Sequence, residues 1–210
     1  MSAISIRLVA LAGPVVSVIT GIVSWVILNF LPESRHHAKY LAWLLGSIGL
    51  MAATGYLLFS GLTGGGDFGT SREGATYQLA PAWLWRIGLT VLGGLGYWLV
   101  ALVSVRMLDT IIGGEGIERV KRSRKLVLTS YLTGGVVSFL ISLLNTHGLA
   151  SALASSFGGT SALMWMTRMM NRTKRSETLL LELNRHWGWI VTGIIITVLY
   201  ASIFGSTIRF

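Results

Sequence analysis

Uncharged apolar runs recur along the chain at close to the length of roughly 20 residues that an α-helix needs to cross about 30 Å of hydrocarbon. Six such runs are present: Leu8 to Leu31, Tyr40 to Leu62, Ile87 to Val105, Leu126 to Leu144, Gly148 to Met166, and Trp187 to Phe204. Each is free of Lys, Arg, Asp and Glu. The fifth is diluted by Ser151, Ser155, Ser156, Gly158, Gly159, Thr160 and Ser161, so it reads as a helix buried among the others. Trp83, Trp85, Trp165, Trp187, Trp189, Tyr40 and Trp43 sit at run ends, where amphipathic rings prefer the headgroup level. The pattern predicts an all-α, polytopic membrane helix bundle with about six transmembrane helices.

Composition agrees with a bilayer environment. Of 210 residues 52% are hydrophobic and 12% charged, and the mean hydropathy is +0.67, which is not the balance of a water-soluble domain. With no Cys, the chain is neither a disulfide-stapled module, nor a thiol enzyme, nor a Cys-ligated zinc domain. The six runs show no internal repeat, which leaves an inverted-repeat transporter unsupported. No low-complexity linker divides residues 1–210, so a single integral membrane domain is expected.

A net charge of +9 raises nucleic acid as a partner, but the basic residues do not form a groove lined with stacking aromatics. They sort by loop. With six crossings, one side carries Arg35, Lys39, Arg106, Arg119, Lys121, Arg122, Arg124, Lys125, Arg168, Arg172, Lys174, Arg175 and Arg185. The other side carries Arg7, Arg72, Arg86 and Arg209. Because basic loops are retained in the cytoplasm, this asymmetry predicts a bacterial cytoplasmic-membrane protein with both termini non-cytoplasmic. An external start at Met1 suits the remainder of a longer architecture whose preceding helix is absent here or belongs to an upstream segment or another chain.

Few residues offer chemistry. Asp67 follows three glycines that let the backbone leave the second run and turn, placing a carboxylate near the bilayer boundary as either a turn residue or a ligand. Glu33, His36 and His37 occupy a short loop, but adjacent histidines in a helix diverge by about 100° and do not share a metal as i,i+4 histidines do. The serines of the fifth run lack an activating base and read as close-packing residues. Gly113, Gly114 and Gly116 precede no Lys-Ser/Thr pair, so they form a turn and not a phosphate loop. Arg119, Lys121, Arg122, Arg124 and Lys125 are candidate contacts to anionic lipid or to a partner, if they do more than orient the chain. Arg168 to Arg175 and the stretch Thr178 to Leu183 resemble an amphipathic connector.

One stretch carries a resemblance. Ile6 to Ser17, with Ala12-Gly13-Pro14 leading into a long apolar run, resembles the segment of site-2 proteases that follows their zinc-binding helix. The position three after the proline, usually Asn there, is Ser17. In that family a later Asp supplies the third zinc ligand, and Gly66-Asp67-Phe68-Gly69 stands in a comparable order, without the usual preceding Asn-Pro. No His-Glu-x-x-His occurs, so two ligands and the general base are missing, and one carboxylate does not hold a catalytic zinc.

The resemblance therefore implies a non-catalytic site-2-protease-like scaffold or membrane-complex subunit, without a cofactor. Its partners would be the bilayer and other membrane subunits or further copies, not nucleic acid. Two alternatives stay open: a split intramembrane zinc metalloprotease using Asp67 with ligands from elsewhere, and a small transporter or channel subunit.

Overall fold

The computed structural model describes residues 3–66, 68–70, 74–77, 79–143, 149–170, 175–176 and 187–204. It is an all-α protein with a single two-residue strand pair among the described residues. The elements are α1 (Ala3–Phe30), α2 (His36–Thr63), α3 (Ala82–Ile111), β1 (Gly114–Glu115), α4 (Gly116–Ser142), α5 (Leu149–Leu153), α6 (Ala162–Trp165), β2 (Arg175–Ser176) and α7 (Trp187–Phe204). A π-helical turn (Ala154–Gly158) links α5 towards α6, and a 3₁₀ turn (Met166–Met169) follows α6.

Four stretches are long and apolar enough to cross a membrane: Arg7–Phe30, His36–Thr63, Ala82–Ile111 and Gly116–Ser142. These match the first four apolar runs, and the second, third and fourth begin before the runs do. Polar and charged flanks such as His36 to Lys39 and Gly116 to Lys125 stay helical because backbone hydrogen bonding continues where hydropathy does not. The fifth run is not one helix but two short helices separated by the π turn and residues 159–161. The sixth run forms α7, whose apolar part Trp187–Ser202 is shorter than the first four. The loop 145–148, His147, His186 and the connector 177–186 lie outside the described residues.

Helix α2 is central, packed on one side by α1 and on the other by α3. The α1 face turned to it is Ala10, Pro14, Gly21, Ser24 and Leu28, spaced by three, four or seven residues as one side of a helix requires. Small residues set the distance: a Cβ on Gly49 would stand 2.7 Å from the Ser17 carbonyl oxygen, so only glycine fits there. On the other side Gly93 of α3 lies so close to the Leu58 backbone that no side chain can enter.

Helices α3 and α4 are joined by Ile112 to Glu115, where Gly113, Gly114 and the following Gly116 all have positive φ (61°, 89° and 52°). Such backbone is cheap only for glycine, which explains three glycines in four positions. The two helices then diverge, and residues 149–170 fill the space between them. The π turn and α6 pack on α4, and the 3₁₀ turn packs on both α3 and α4. At the joined end Leu163, Met166 and Met170 complete a core with Trp43, Met51, Leu108, Ile112 and Val127.

Candidate functional site

Two local arrangements combine polar groups with apolar helices: the end of the molecule near the α3–α4 turn, and the break in the 149–170 segment.

Three contacts draw the basic loops to one end. Strand β1 pairs antiparallel with β2, setting Gly114 opposite Ser176 and Glu115 opposite Arg175. Trp43 Nε1 donates to the Ser104 carbonyl at 2.9 Å, bringing the start of α2 to the last turns of α3. His37 stacks on Trp189 with ring centroids 6.4 Å apart, bringing the start of α7 beside the start of α2. The loops carrying Arg35 and Lys39, Arg106 to Lys125, and Arg168 to Arg175 are therefore neighbours. At the opposite end Arg7 Nη2 donates to the Tyr77 carbonyl at 3.4 Å, and Arg86 donates to the Gly61 and Leu62 carbonyls at 3.2 and 2.7 Å. Arg86 thus places positive charge on the carbonyl end of α2, where the helix dipole favours it.

Within the basic end the five candidate contacts do not behave alike. Arg119 is turned inward, with its side chain wholly buried, and its Nη1 meets Asp109 Oδ1 at 2.7 Å; the Asp109 side chain is 11% exposed. An isolated buried charge would be strongly penalised, so each group makes the other tolerable. Ser123, one turn on, is also buried and donates to the Arg119 carbonyl at 2.9 Å. Arg119 is consequently a core residue of the α3–α4 junction and not a surface contact. Lys121 remains exposed and pairs with Glu118 at 2.8 Å. Arg124 and Lys125 are exposed, and Arg122 is half-buried.

Asp109 escaped the sequence reading because it lies just beyond the third apolar run, among ordinary flanking residues. The available signal was a lone carboxylate ten residues before an arginine, across a glycine turn able to fold one onto the other. The aromatic belt also needs correction. Trp43 and Tyr40 are buried, the first through its bond to Ser104 and the second through a 2.9 Å bond to Ser130, whereas Trp83, Trp85, Trp187 and Trp189 are exposed.

The break in the 149–170 segment is closed by two tyrosines from the helices that flank it. Tyr131 of α4 donates to the Phe157 carbonyl at 3.2 Å. Tyr97 of α3 accepts from the Ala162 amide at 2.7 Å and shares a 3.0 Å hydrogen bond with Ser161. Backbone groups freed in an apolar surrounding need such partners. Gly135 accommodates the Phe157 ring, and Gly55 faces the Gly159 backbone with 3.1 Å available to a Cβ. Ser155 donates to the Ala152 carbonyl at 3.1 Å, and the buried Ser156 hydroxyl has no protein partner among the described residues.

Asp67 lies outside the described residues. Around it, Gly64 and Gly66 take positive φ (73° and 75°), the turn predicted for the three glycines. The loop folds back on the α2 terminus: the Thr70 amide donates to the Gly64 carbonyl, and the buried Thr76 hydroxyl donates to the Phe68 or Gly69 carbonyl. His36 and His37 open α2 and do not lie in a loop. Among the described residues no three His, Asp or Glu side chains come together to hold a metal ion. No family model, curated protein or solved structure matches the chain. Four membrane-length apolar helices fit an integral membrane protein.

Proposed function

We propose that the chain crosses the bacterial cytoplasmic membrane six times, with both termini outside, and serves as a non-catalytic subunit or scaffold of a membrane complex, related in part to site-2 proteases. The observation carrying the six-crossing topology is the gathering of the basic loops at one end by β1–β2, Trp43–Ser104 and His37–Trp189. An even number of crossings returns each of these loops to the same side. The broken 149–170 segment serves as the fifth crossing, its 22 residues being within the number a span requires. Helix α7 serves as the sixth, about 27 Å long and exposed along most of its surface.

The test is two-sided labelling of single cysteines in this Cys-free chain. Cysteine at Ala82 is expected to react from outside intact cells, and cysteine at Thr110 only after permeabilisation. The reverse pattern overturns the orientation, and reaction of both from one side overturns the odd number of crossings between them. Zinc content separates the subunit from a split protease: a native complex holding zinc that depends on Asp67 would replace the non-catalytic reading.

A second reading, a small transporter or channel subunit, is favoured by the break in the fifth segment. Discontinuous helices and π turns recur where membrane proteins bind substrates or ions, and Ser156 offers a buried hydroxyl beside this one. Solute flux in liposomes that rises with the protein and falls with Ser156→Ala would support it.

A further inference from the structure

Helix α4 presents one continuous stripe to its surroundings that changes character along its length. Lys121, Lys125, Leu132, Val136, Leu140 and Leu143 follow one another at spacings of three, four or seven, with Arg124 beside the first two, and all are exposed. That spacing keeps them on a single face. From Lys125 to Leu143 the helix climbs about 27 Å, close to the hydrocarbon thickness, so Lys125 stands at its boundary. Lys121 lies one turn further out, roughly 6 Å, within the headgroup layer. Cations at headgroup depth, continued by an apolar strip of acyl-chain length, have the charge and shape of an anionic phospholipid. The Lys121 ion pair with Glu118 is exposed and water-screened, so a phosphate can compete for the ammonium.

We infer that this face of α4 binds an anionic phospholipid of the adjoining leaflet, its phosphate held by Lys121, Arg124 and Lys125 and its acyl chains laid along Leu132, Val136 and Leu140. The inference rests on the membrane-protein reading but asks more of the basic residues than orientation. Arg119 takes no part, being buried against Asp109.

The full chain, reconstituted in vesicles of equal parts phosphatidylglycerol and phosphatidylcholine, is released into mild detergent, and its retained lipids are counted by native mass spectrometry. Wild type is expected to keep phosphatidylglycerol preferentially. Lys121→Gln/Arg124→Gln/Lys125→Gln is expected to lose that preference by about fivefold per charge removed, ~1 kcal/mol each, or roughly a hundredfold together. Lys121→Arg/Lys125→Arg keeps it, and the single Arg124→Gln gives a fivefold loss should the triple variant fail to fold. Equal retention of the two lipids by wild type, undiminished preference in the folded triple variant, or displacement by free glycerol phosphate each overturns the inference. So does an acidic protein found on this face in place of lipid. A chain that does not enter vesicles at all refutes the membrane reading itself.

Discussion

Removing one partner of the Asp109–Arg119 pair tests how the α3–α4 junction is held. Arg119→Met keeps most of the side-chain volume but leaves the Asp109 carboxylate, whose side chain is 11% exposed, without its 2.7 Å counter-ion. Breaking a buried pair in this way costs about 3 to 5 kcal/mol, because the surviving charge is neither hydrated nor neutralised. Asp109→Leu should cost a similar amount for the mirror reason. The double variant removes both desolvation penalties together, and such replacements are commonly neutral or stabilising by about 1 to 4 kcal/mol. The two single effects should therefore fail to add, with a coupling well above the roughly 0.5 kcal/mol seen for independent sites. The assay is reversible unfolding in mixed micelles followed by far-UV circular dichroism, with all four proteins in one detergent mixture. A single variant within about 1 kcal/mol of wild type would refute the claim that the pair is buried and mutually dependent. A double variant as damaged as the two singles combined would show that the residues act separately.

Three further outcomes follow from the packing. Tyr97→Phe deprives the Ala162 amide of its acceptor and should cost about 1 to 3 kcal/mol, with faster hydrogen exchange near Ala162; unchanged exchange there would refute the role given to the tyrosine. Gly135→Ala should destabilise by about 1 to 3 kcal/mol because the new methyl meets the Phe157 ring, and Phe157→Leu should relieve part of the loss; equal damage in both backgrounds would place the strain elsewhere. Cysteine at Ser123, which is fully buried, should resist a maleimide in the folded protein, while cysteine at the exposed Thr110 reacts; rapid modification of both would show an α3–α4 junction open to solvent.

The first four helices were legible in hydropathy because each carries a long uncharged apolar run, which is the property that hydropathy measures. The fifth run was legible as rich in small residues, but not as broken, and it is buried only in part: Leu149, Leu153 and Met164 are exposed, whereas Ala162, Leu163 and Met166 are buried. Its break depends on Tyr97 and Tyr131, which stand in other runs and gain meaning only when three helices meet. Trp43 shows the same limit from the other side: at a run end it looks like a headgroup ring, but it packs in the core with its indole N–H satisfied by the Ser104 carbonyl. Of the five basic candidates, periodicity separates Arg119 from Lys121 and Lys125 by helix face. Which face turns inward is decided by Asp109, a residue on another helix. Asp67, the candidate ligand, lies outside the described residues.

The segment seated between α3 and α4 bears on how the chain is made. A stretch with a π turn, freed backbone groups and several hydroxyls leans on its neighbours, since Tyr131 donates to its Phe157 carbonyl and Tyr97 accepts from its Ala162 amide, while Ser155 bonds within the segment. Both neighbours precede it in synthesis. Tyr97, Tyr131 and the Gly135 recess are therefore made before residues 149–170, so the partners that close the break exist ahead of the segment that needs them.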